Sequence, residues 1–593
     1  MSLPFALLLI LTLVVAAAIA IARQGRLHAT ANLRAEWGQP KLRERKMDAI
    51  AASHKSRVAE WGGAAALDDR TWNDLVLDDV FATIDRTEST LGQHALYHRL
   101  RTEHSAASLQ AFEALVTRME NEPAVRERAQ LALARLRDPQ GYDLWWLARP
   151  KAIEAPAWYV LFPVLALVIL GSLALMAGHP GLRVVLVGAL FVNVVTYFAT
   201  MKESNAAAAA FRQIAPLVAT GQALQFLQGD DIDAIVGTLR KDTPGLRRLK
   251  TVSRWVSGDP LMLSVHPSPI AGMVADLFNV VYDYLNLLLP VNVSGMYFGA
   301  ADLRAGGAPL LRVAAAVGDV DAAVSVAALR ATLPTWTRPV FLPPGSAATI
   351  AEAVHPLVAD AVPNSITLAA GRGVLVTGSN MSGKSTFLRT VGVSAVLAQT
   401  IHTCFARTYE APLFRVRSCI GRSDDLLSGK SYYLVEVESL LGLVASSTDA
   451  TRPHLFLLDE LFRGTNTVER IAAGQAVLTE FIVGASGPTP HVVMAATHDT
   501  ELVDLLEGAY VPCHFGDAMT DEGLTFDHRL RSGRSTSRNA IALLRLNGAP
   551  PALVERALAL AETLDRQREG AGRSHIRQSR PEAPSSTPPP RTD

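Results

Sequence analysis

The chain has 593 residues, 49% of them hydrophobic, with 56 Lys plus Arg against 56 Asp plus Glu and a positive mean hydropathy. That length accommodates several domains and the apolar fraction exceeds what a soluble core needs, while the balanced charge gives no argument for an extended nucleic-acid-binding surface and leaves open a local basic patch. Three scattered cysteines, Cys404, Cys419 and Cys513, exclude a disulfide framework and a cysteine zinc site and suit a reducing compartment.

In chain order, the first element is an uncharged apolar run from Leu3 to Ala22. A membrane span needs about 20 helical residues. This run is longer than a signal peptide's apolar region of about 7–15 residues and has no basic lead-in, so 1–22 reads as an anchoring helix, with a signal peptide as the alternative. Residues 23–157 read as a helical domain, with Leu109, Phe112, Leu115, Val116 and Met119 at helical spacing. Trp158 to Ala177 and Leu182 to Thr200 are two further apolar runs, joined through Gly178, His179, Pro180 and Gly181. They predict a membrane hairpin over 158–200; the alternative is a helical pair buried in a soluble core. The flanking Arg23, Arg26, Arg149, Lys151 and Lys202 place 23–157 and everything after 200 in the cytoplasm, with Arg183 as the one dissenting charge. The expectation is a multi-pass inner-membrane protein held by three helices.

Residues 201–340 continue as a helical region. Within it, 277–299 is apolar, but Asp283, Asn286 and Pro290 predict a buried helix and not a fourth span. Arg240, Lys241, Arg247, Arg248, Lys250 and Arg254 form the best basic patch, a candidate DNA contact whose plain alternative is a solvated helix face. Over 341–530 short β-branched runs alternate with helical stretches, the pattern of an α/β domain with a mainly parallel sheet. Residues 531–569 read as helical, and 570–593, rich in Arg, Ser and Pro, as disordered.

The chemistry concentrates in the α/β region. Gly378-Ser379-Asn380-Met381-Ser382-Gly383-Lys384-Ser385 fits the phosphate-loop pattern in full, between an apolar strand at 373–377 and a helix opening at Thr386. Glycines let the backbone N–H groups turn toward phosphate oxygens; Lys384 would reach the β- and γ-phosphates of ATP and Ser385 would ligate Mg2+. Leu455 to Leu458 form an apolar strand ending in Asp459 and Glu460, the first placed to hold Mg2+ and the second to polarise the attacking water. A third apolar strand, Val492 to Ala496, runs into Thr497 and His498, where a histidine is positioned to sense the γ-phosphate.

Asn380-Met381 in the phosphate loop, Asp459-Glu460 followed by Arg463-Gly464-Thr465, and Thr497-His498 together resemble the ATPase domain of the MutS mismatch-repair family. So does Ser423-Asp424-Asp425-Leu426 followed by Ser428-Gly429-Lys430-Ser431 and Val435-Glu436. The resemblance implies an α/β P-loop NTPase domain of the ABC/MutS type, preceded by an all-α lever and core domain; the apolar runs read above add a transmembrane helix at the N-terminus and a transmembrane helical hairpin that interrupts the core. It also implies a homodimer through the ATPase domains, with Ser428, Gly429 and Ser431 reaching the partner's ATP, and a dimerisation element in Ser535 to Leu560. Ile84-Asp85-Arg86-Thr87 with Ser89, Gly92, Leu96 and Leu100 resembles the entry to the family's helical core. Two departures follow: the stretch before Ile84 is expected to hold no counterpart of the mismatch-reading and connector domains, and Ala361-Val362 stand where the family usually has an aromatic under adenine. The expected function is a membrane-anchored ATPase acting on or near DNA; the alternatives are a mechanochemical or transport-like membrane ATPase without a nucleic-acid substrate, and a slow ATP-binding scaffold.

Overall fold

The structure, a computed structural model, describes residues 23–25, 27–41, 45–61, 67–137, 158–256, 280–282, 284–289, 291–379, 381–420, 432–447, 452–484, 487–520, 523–534, 541, 544–545, 547–561 and 563. The expected N-terminal span at 1–22 and the tail at 570–593 lie outside them.

The helical part runs α1 (Met47–Trp61), α2 (Asp69–Asp74), α3 (Leu77–Ile84), α4 (Thr90–Arg101), α5 (Ala106–Asn121) and α6 (Pro123–Leu133), then α7 (Leu161–Leu175), α8 (Leu182–Ala223), α9 (Asp233–Asp242), α10 (Arg247–Val256) and α11 (Val291–Arg330). Local chemistry starts the short helices: Ser89 accepts from the Gly92 N–H, Ser105 accepts from the Ser108 N–H, and Pro123 occupies the first turn of α6. α11 is the spine, and Leu96, Leu100, Phe112, Leu115, Val317, Val320 and Val324 bury against one another around it. A Cβ on Gly318 would sit 2.7 Å from the Leu91 carbonyl oxygen, so α4 and α11 cross at backbone contact.

The Ile84-to-Gly92 pattern has a structural reason. Asp321 on α11 is fully buried and accepts from the N–H groups of Glu88 and Ser89 at 2.8 Å and from Ser89 Oγ at 2.6 Å. Asp85 accepts from the Thr87 N–H and hydroxyl and from Arg45. These carboxylates satisfy the donors of a buried turn that no regular element could pair.

The apolar hairpin region differs from expectation in two ways. α7 has 15 residues, short of the about 20 that cross a bilayer, whereas Leu182–Thr200 within α8 is long and apolar enough. That stretch is only 11% buried, so the alternative of a helical pair packed inside a soluble core does not describe it. The expected buried helix over 277–299 holds for its second half, where Val293, Met296 and Tyr297 are buried, and is corrected for its first. Residues 280–282 and 284–288 are helical, but Val280, Val281, Tyr284, Leu285 and Leu288 are exposed, and the chain restarts as α11 at Val291. Pro290 supplies no N–H to carry the helix through.

The α/β part contains β1 (Val340–Phe341), β2 (Ala348–Ala353), β3 (Asn364–Leu368), β4 (Gly373–Thr377), β5 (Thr408–Ala411), β6 (Arg415–Cys419), β7 (His454–Asp459), β8 (Val492–Ala496), β9 (Tyr510–Thr520) and β10 (Gly523–Ser532). Its helices are α12 (Lys384–Ile401), α13 (Tyr432–Ser446), α14 (Thr467–Val483) and α15 (Thr500–Leu505). The main sheet has the order β10-β9-β4-β8-β7-β6, parallel except for the β9–β10 hairpin. β4, β8 and most of β7 are buried along their length, as strands covered on both faces must be. A smaller sheet, β1-β5-β2-β3, lies beside it.

The two parts are joined by ion pairs and hydrogen bonds, and both carry buried histidines. Arg330, at the end of α11, pairs with Glu113 and Glu120 of α5 and donates to Thr403 Oγ1 and the His402 carbonyl in the α/β part. Burial, assisted by nearby arginines, lowers the His104 pKa to about 3 and the His355 pKa to about 4, and it depresses those of His54 and His98, whose Nδ1 atoms lie 3.0 Å apart. The unfolded chain therefore binds more protons than the folded one below pH 6.5. Stability is complete above that value and falls as pH drops toward about 4. Thermal melts should show a lower Tm at pH 5 than at pH 7.5, before ordinary carboxylates titrate; a flat Tm across that interval would refute the assignment.

Candidate nucleotide site

The site forms where β4, β7 and β8 end side by side. β4 delivers the chain into a loop in which Gly378 and Gly383 adopt φ of 146° and 115°, backbone that disfavours any side chain. A Cβ on Gly378 would also meet Ser382 Oγ at 2.8 Å and the Phe515 carbonyl oxygen at 3.0 Å. Ser382 is fully buried, and the hydroxyls of both Ser379 and Ser382 are buried without a hydrogen-bond partner. Met381 at φ 71° is almost wholly exposed at the loop's rim. Asn380 lies outside the described residues. Lys384 and Ser385 open α12, with Thr386 exposed in its first turn. Lys384 Nζ donates to the carbonyls of Gly378 at 2.9 Å and Ser379 at 3.0 Å, so the ammonium spans the loop mouth. Its burial lowers the ammonium pKa, against the opposing pull of Glu460 and Asp459.

Asp459 ends β7, and Ser385 Oγ donates to its Oδ2 at 2.5 Å. Its Oδ1 is buried and has no hydrogen-bond partner, and burial raises the carboxyl pKa. A serine hydroxyl and a half-satisfied carboxylate are hard oxygen donors side by side, which fits Mg2+. Glu460 lies just past the strand at φ 51°, its N–H bonded to the Ala496 carbonyl at the end of β8. His498 Nε2 donates to Glu460 Oε1 at 2.5 Å and stands 3.3 Å from Lys384 Nζ, while Arg463 pairs with Oε2. Burial opposes ionisation of Glu460, but His498, Arg463 and Lys384 outweigh it and lower the carboxyl pKa, so the group is a carboxylate at neutral pH.

The family model for MutS domain V matches residues 374–565, which span this entire constellation. Residues 374–565 belong to the MutS family. Over 261 residues the chain is 38% identical to the DNA mismatch repair protein MutS 2 of Halobacterium salinarum, covering 42% of this chain and 29% of that protein. Over 257 residues it is 35% identical to DNA mismatch repair protein MutS of Thermus thermophilus, covering 43% and 30% respectively. DNA mismatch repair protein MutS of Thermosipho melanesiensis is 33% identical over 266 residues, covering 44% and 32%. The chain thus spans less than a third of the length of these relatives.

Within the MutS domain, the structure brings Lys384, Ser385, Asp459, Glu460 and His498 together. Ser428, Gly429 and Ser431 lie outside the described residues, as does the start of the Ser535 to Leu560 element, of which 551–561 is helical. Two neighbours have roles that the sequence did not reveal: Glu436, quoted above only as part of the resemblance, and His528, which no pattern singled out. Glu436 on α13 accepts from the Phe462 N–H at 2.7 Å, with burial raising its pKa against that bond, and so braces the loop after Glu460 in which Phe462 also has φ 58°. His528 on β10 reaches the Ser382 carbonyl at 3.0 Å, and its ring packs against Phe526. Asn364 fixes this strand by donating to the His528 carbonyl and accepting from the Leu530 N–H. Nothing local marks His528; only β9–β10 pairing beside β4 carries it to the phosphate loop.

Proposed function

We propose that this protein binds and hydrolyses ATP with Mg2+ through the phosphate loop, Asp459, Glu460 and His498, as a homodimer of its MutS domains. The observation that carries the reading is the set of buried groups without partners, the Ser379 and Ser382 hydroxyls and Asp459 Oδ1, gathered around the Lys384 ammonium. Groups buried in this way are stabilised once phosphate oxygens and a cation complete their bonding. Ser385 and Asp459 would hold Mg2+, which supplies neutralising charge on the phosphates. Glu460, ionised and oriented by His498 and Arg463, takes a proton from the attacking water. Lys384 exchanges its two loop carbonyls for phosphate oxygens when nucleotide enters.

We further propose that the protein acts on or near DNA while held at the inner membrane, its MutS domain in the cytoplasm. The relatives are named for DNA mismatch repair, which supports the first part. Val184, Val187, Phe191, Val195 and Phe198 on α8 and Leu167, Leu170 and Leu173 on α7 are exposed, an apolar area suited to acyl chains, which supports the second. One observation favours a second reading, an ATP-driven membrane machine without a nucleic-acid substrate. In the basic patch, Arg240 pairs with Asp233, Arg248 pairs with Asp302, and Lys250 donates to Gln222. Internal pairing leaves that surface less charge for phosphodiesters.

ATP turnover measured with and without duplex, branched and single-stranded DNA separates the readings. Salt-sensitive stimulation by DNA is the expected result, and indifference to every form selects the second reading. Lys384→Ala should lower turnover at least ~100-fold in either case; unchanged turnover would overturn the ATPase reading.

A further inference from the structure

The helical segment before α11 has a geometry that a buried soluble helix does not explain. Leu289 N–H bonds to the Leu285 carbonyl at 2.7 Å, but the next donor, Val291 N–H, turns back to the Leu289 carbonyl at 2.8 Å. In an uninterrupted helix Val291 would have bonded the Leu287 carbonyl. That carbonyl instead accepts from Asn193 Nδ2 at 2.9 Å, and Asn193, only 1% exposed, projects from the middle of the apolar stretch of α8. A side-chain amide on one apolar helix therefore satisfies the backbone group that a break in another sets free. Such a bond is needed where water cannot reach the break.

The segment also folds back. A straight helix would place Tyr282 about 20 Å along the axis from Gly295. Instead, Tyr282 Oη donates to the Val256 carbonyl, and the Val256 side chain lies against Gly295, where a Cβ would approach it to 2.8 Å. Tyr282 and Gly295 thus share Val256 as a neighbour, with the break in the helical bonding between Leu289 and Val291. At the open end, aromatic rings form one level: Tyr159 against Phe298 at 5.1 Å and Phe162 stacked on Tyr297 at 5.9 Å. Trp158 is exposed there beside the exposed Phe298, and the amphipathic rings of Trp and Tyr favour a headgroup boundary. At the closed end, Asn193 lies about 10 Å of helix inside Thr200, within a hydrocarbon layer of about 30 Å. Between these levels Tyr284, Leu285 and Leu288 are exposed, continuous in character with the apolar face of α8. Asp283, the one Asp, Glu, Lys or Arg in 280–289, lies outside the described residues.

We propose that residues 280–298 form a re-entrant helical hairpin whose tip at 287–291 enters the acyl-chain layer of a lipid bilayer beside Leu182–Thr200, with Asn193 capping its broken end. The proposal rests on the membrane reading above, and its test separates the two. The full chain, reconstituted in phosphatidylcholine and phosphatidylglycerol vesicles, carries a bimane on Leu288→Cys, Val187→Cys or Leu505→Cys, with the unsubstituted chain as labelling background. Nitroxides on lipid acyl chains should quench Leu288→Cys and Val187→Cys to within about two-fold of each other and leave Leu505→Cys bright. Quenching of Val187→Cys alone would overturn the re-entrant hairpin while leaving α8 in the membrane; quenching of neither would overturn both. In an Asn193→Ala background, quenching of Leu288→Cys should fall about two-fold or more while that of Val187→Cys stays unchanged. Unaltered quenching at both positions would remove Asn193 from its capping role.

Discussion

Glu460→Gln is expected to lower ATP turnover by at least ~100-fold while leaving ATP binding within a few-fold of the parent, because a general base typically contributes about 10²–10⁴ in rate. The amide keeps the shape of the carboxylate and can still accept from His498, so the site should assemble; what it lacks is the basic oxygen. The surroundings favour this reading over a structural one. His498, Arg463 and Lys384 hold Glu460 ionised despite burial, and its left-handed backbone and N–H bond to Ala496 fix it at the ends of β7 and β8, next to Asp459. Single-turnover hydrolysis alongside equilibrium binding of a fluorescent ATP analogue gives the two numbers separately. Equal loss of both would make Glu460 part of the binding framework, and unchanged turnover would remove it from the chemistry.

Arg330→Ala should produce the largest loss of stability among single substitutions outside the nucleotide site, about 3–5 kcal/mol, the usual consequence of breaking a buried ion pair from one side. Arg330 is 4% exposed, and its guanidinium lies at the junction of three pieces of chain: Glu113 and Glu120 on α5, the end of α11, and the Thr403 hydroxyl and His402 carbonyl after α12. It also lies over the Trp336 ring at 4.5 Å. Its removal strands two carboxylates with Arg338 as their remaining arginine and leaves a carbonyl and a hydroxyl short of a donor. Chemical denaturation reads the loss, and Arg330→Lys should recover only part of it, since one ammonium cannot reproduce a planar fork of donors. A shift under about 1 kcal/mol for Arg330→Ala would mean that Arg338 suffices.

The engine of this protein was readable from local pattern because its chemistry is local. The glycines of the phosphate loop, the apolar run into Asp459-Glu460 and the run into Thr497-His498 each occupy adjacent positions, and β4 and β8 fall at the residues their apolar runs marked. β7 is displaced by one residue from the apolar run that marks it, since Glu460 leaves the ladder at a positive φ that composition does not signal. The first half of the segment at 277–299 departs from its expectation for a related reason. Asp283, Asn286 and Pro290 do interrupt an apolar run, but whether the run is then covered by protein or left facing outward depends on what packs beside it, and Asn193 lies far from it in sequence.

The sequence by itself determined the fold class of the C-terminal part, its family and the residue types gathered for phosphate and metal, because hydrophobic period and short motifs act over a few residues. Only the tertiary structure decided which side chains complete the site and how the parts are joined. His528 reaches the phosphate loop through the β9–β10 hairpin, Glu436 braces Phe462 across helix and loop, and Asp321, Arg330 and Asn193 satisfy backbone or charge on distant segments. In each case a buried polar group must find a partner, and the partner it finds is fixed by proximity in space, which no local sequence pattern encodes.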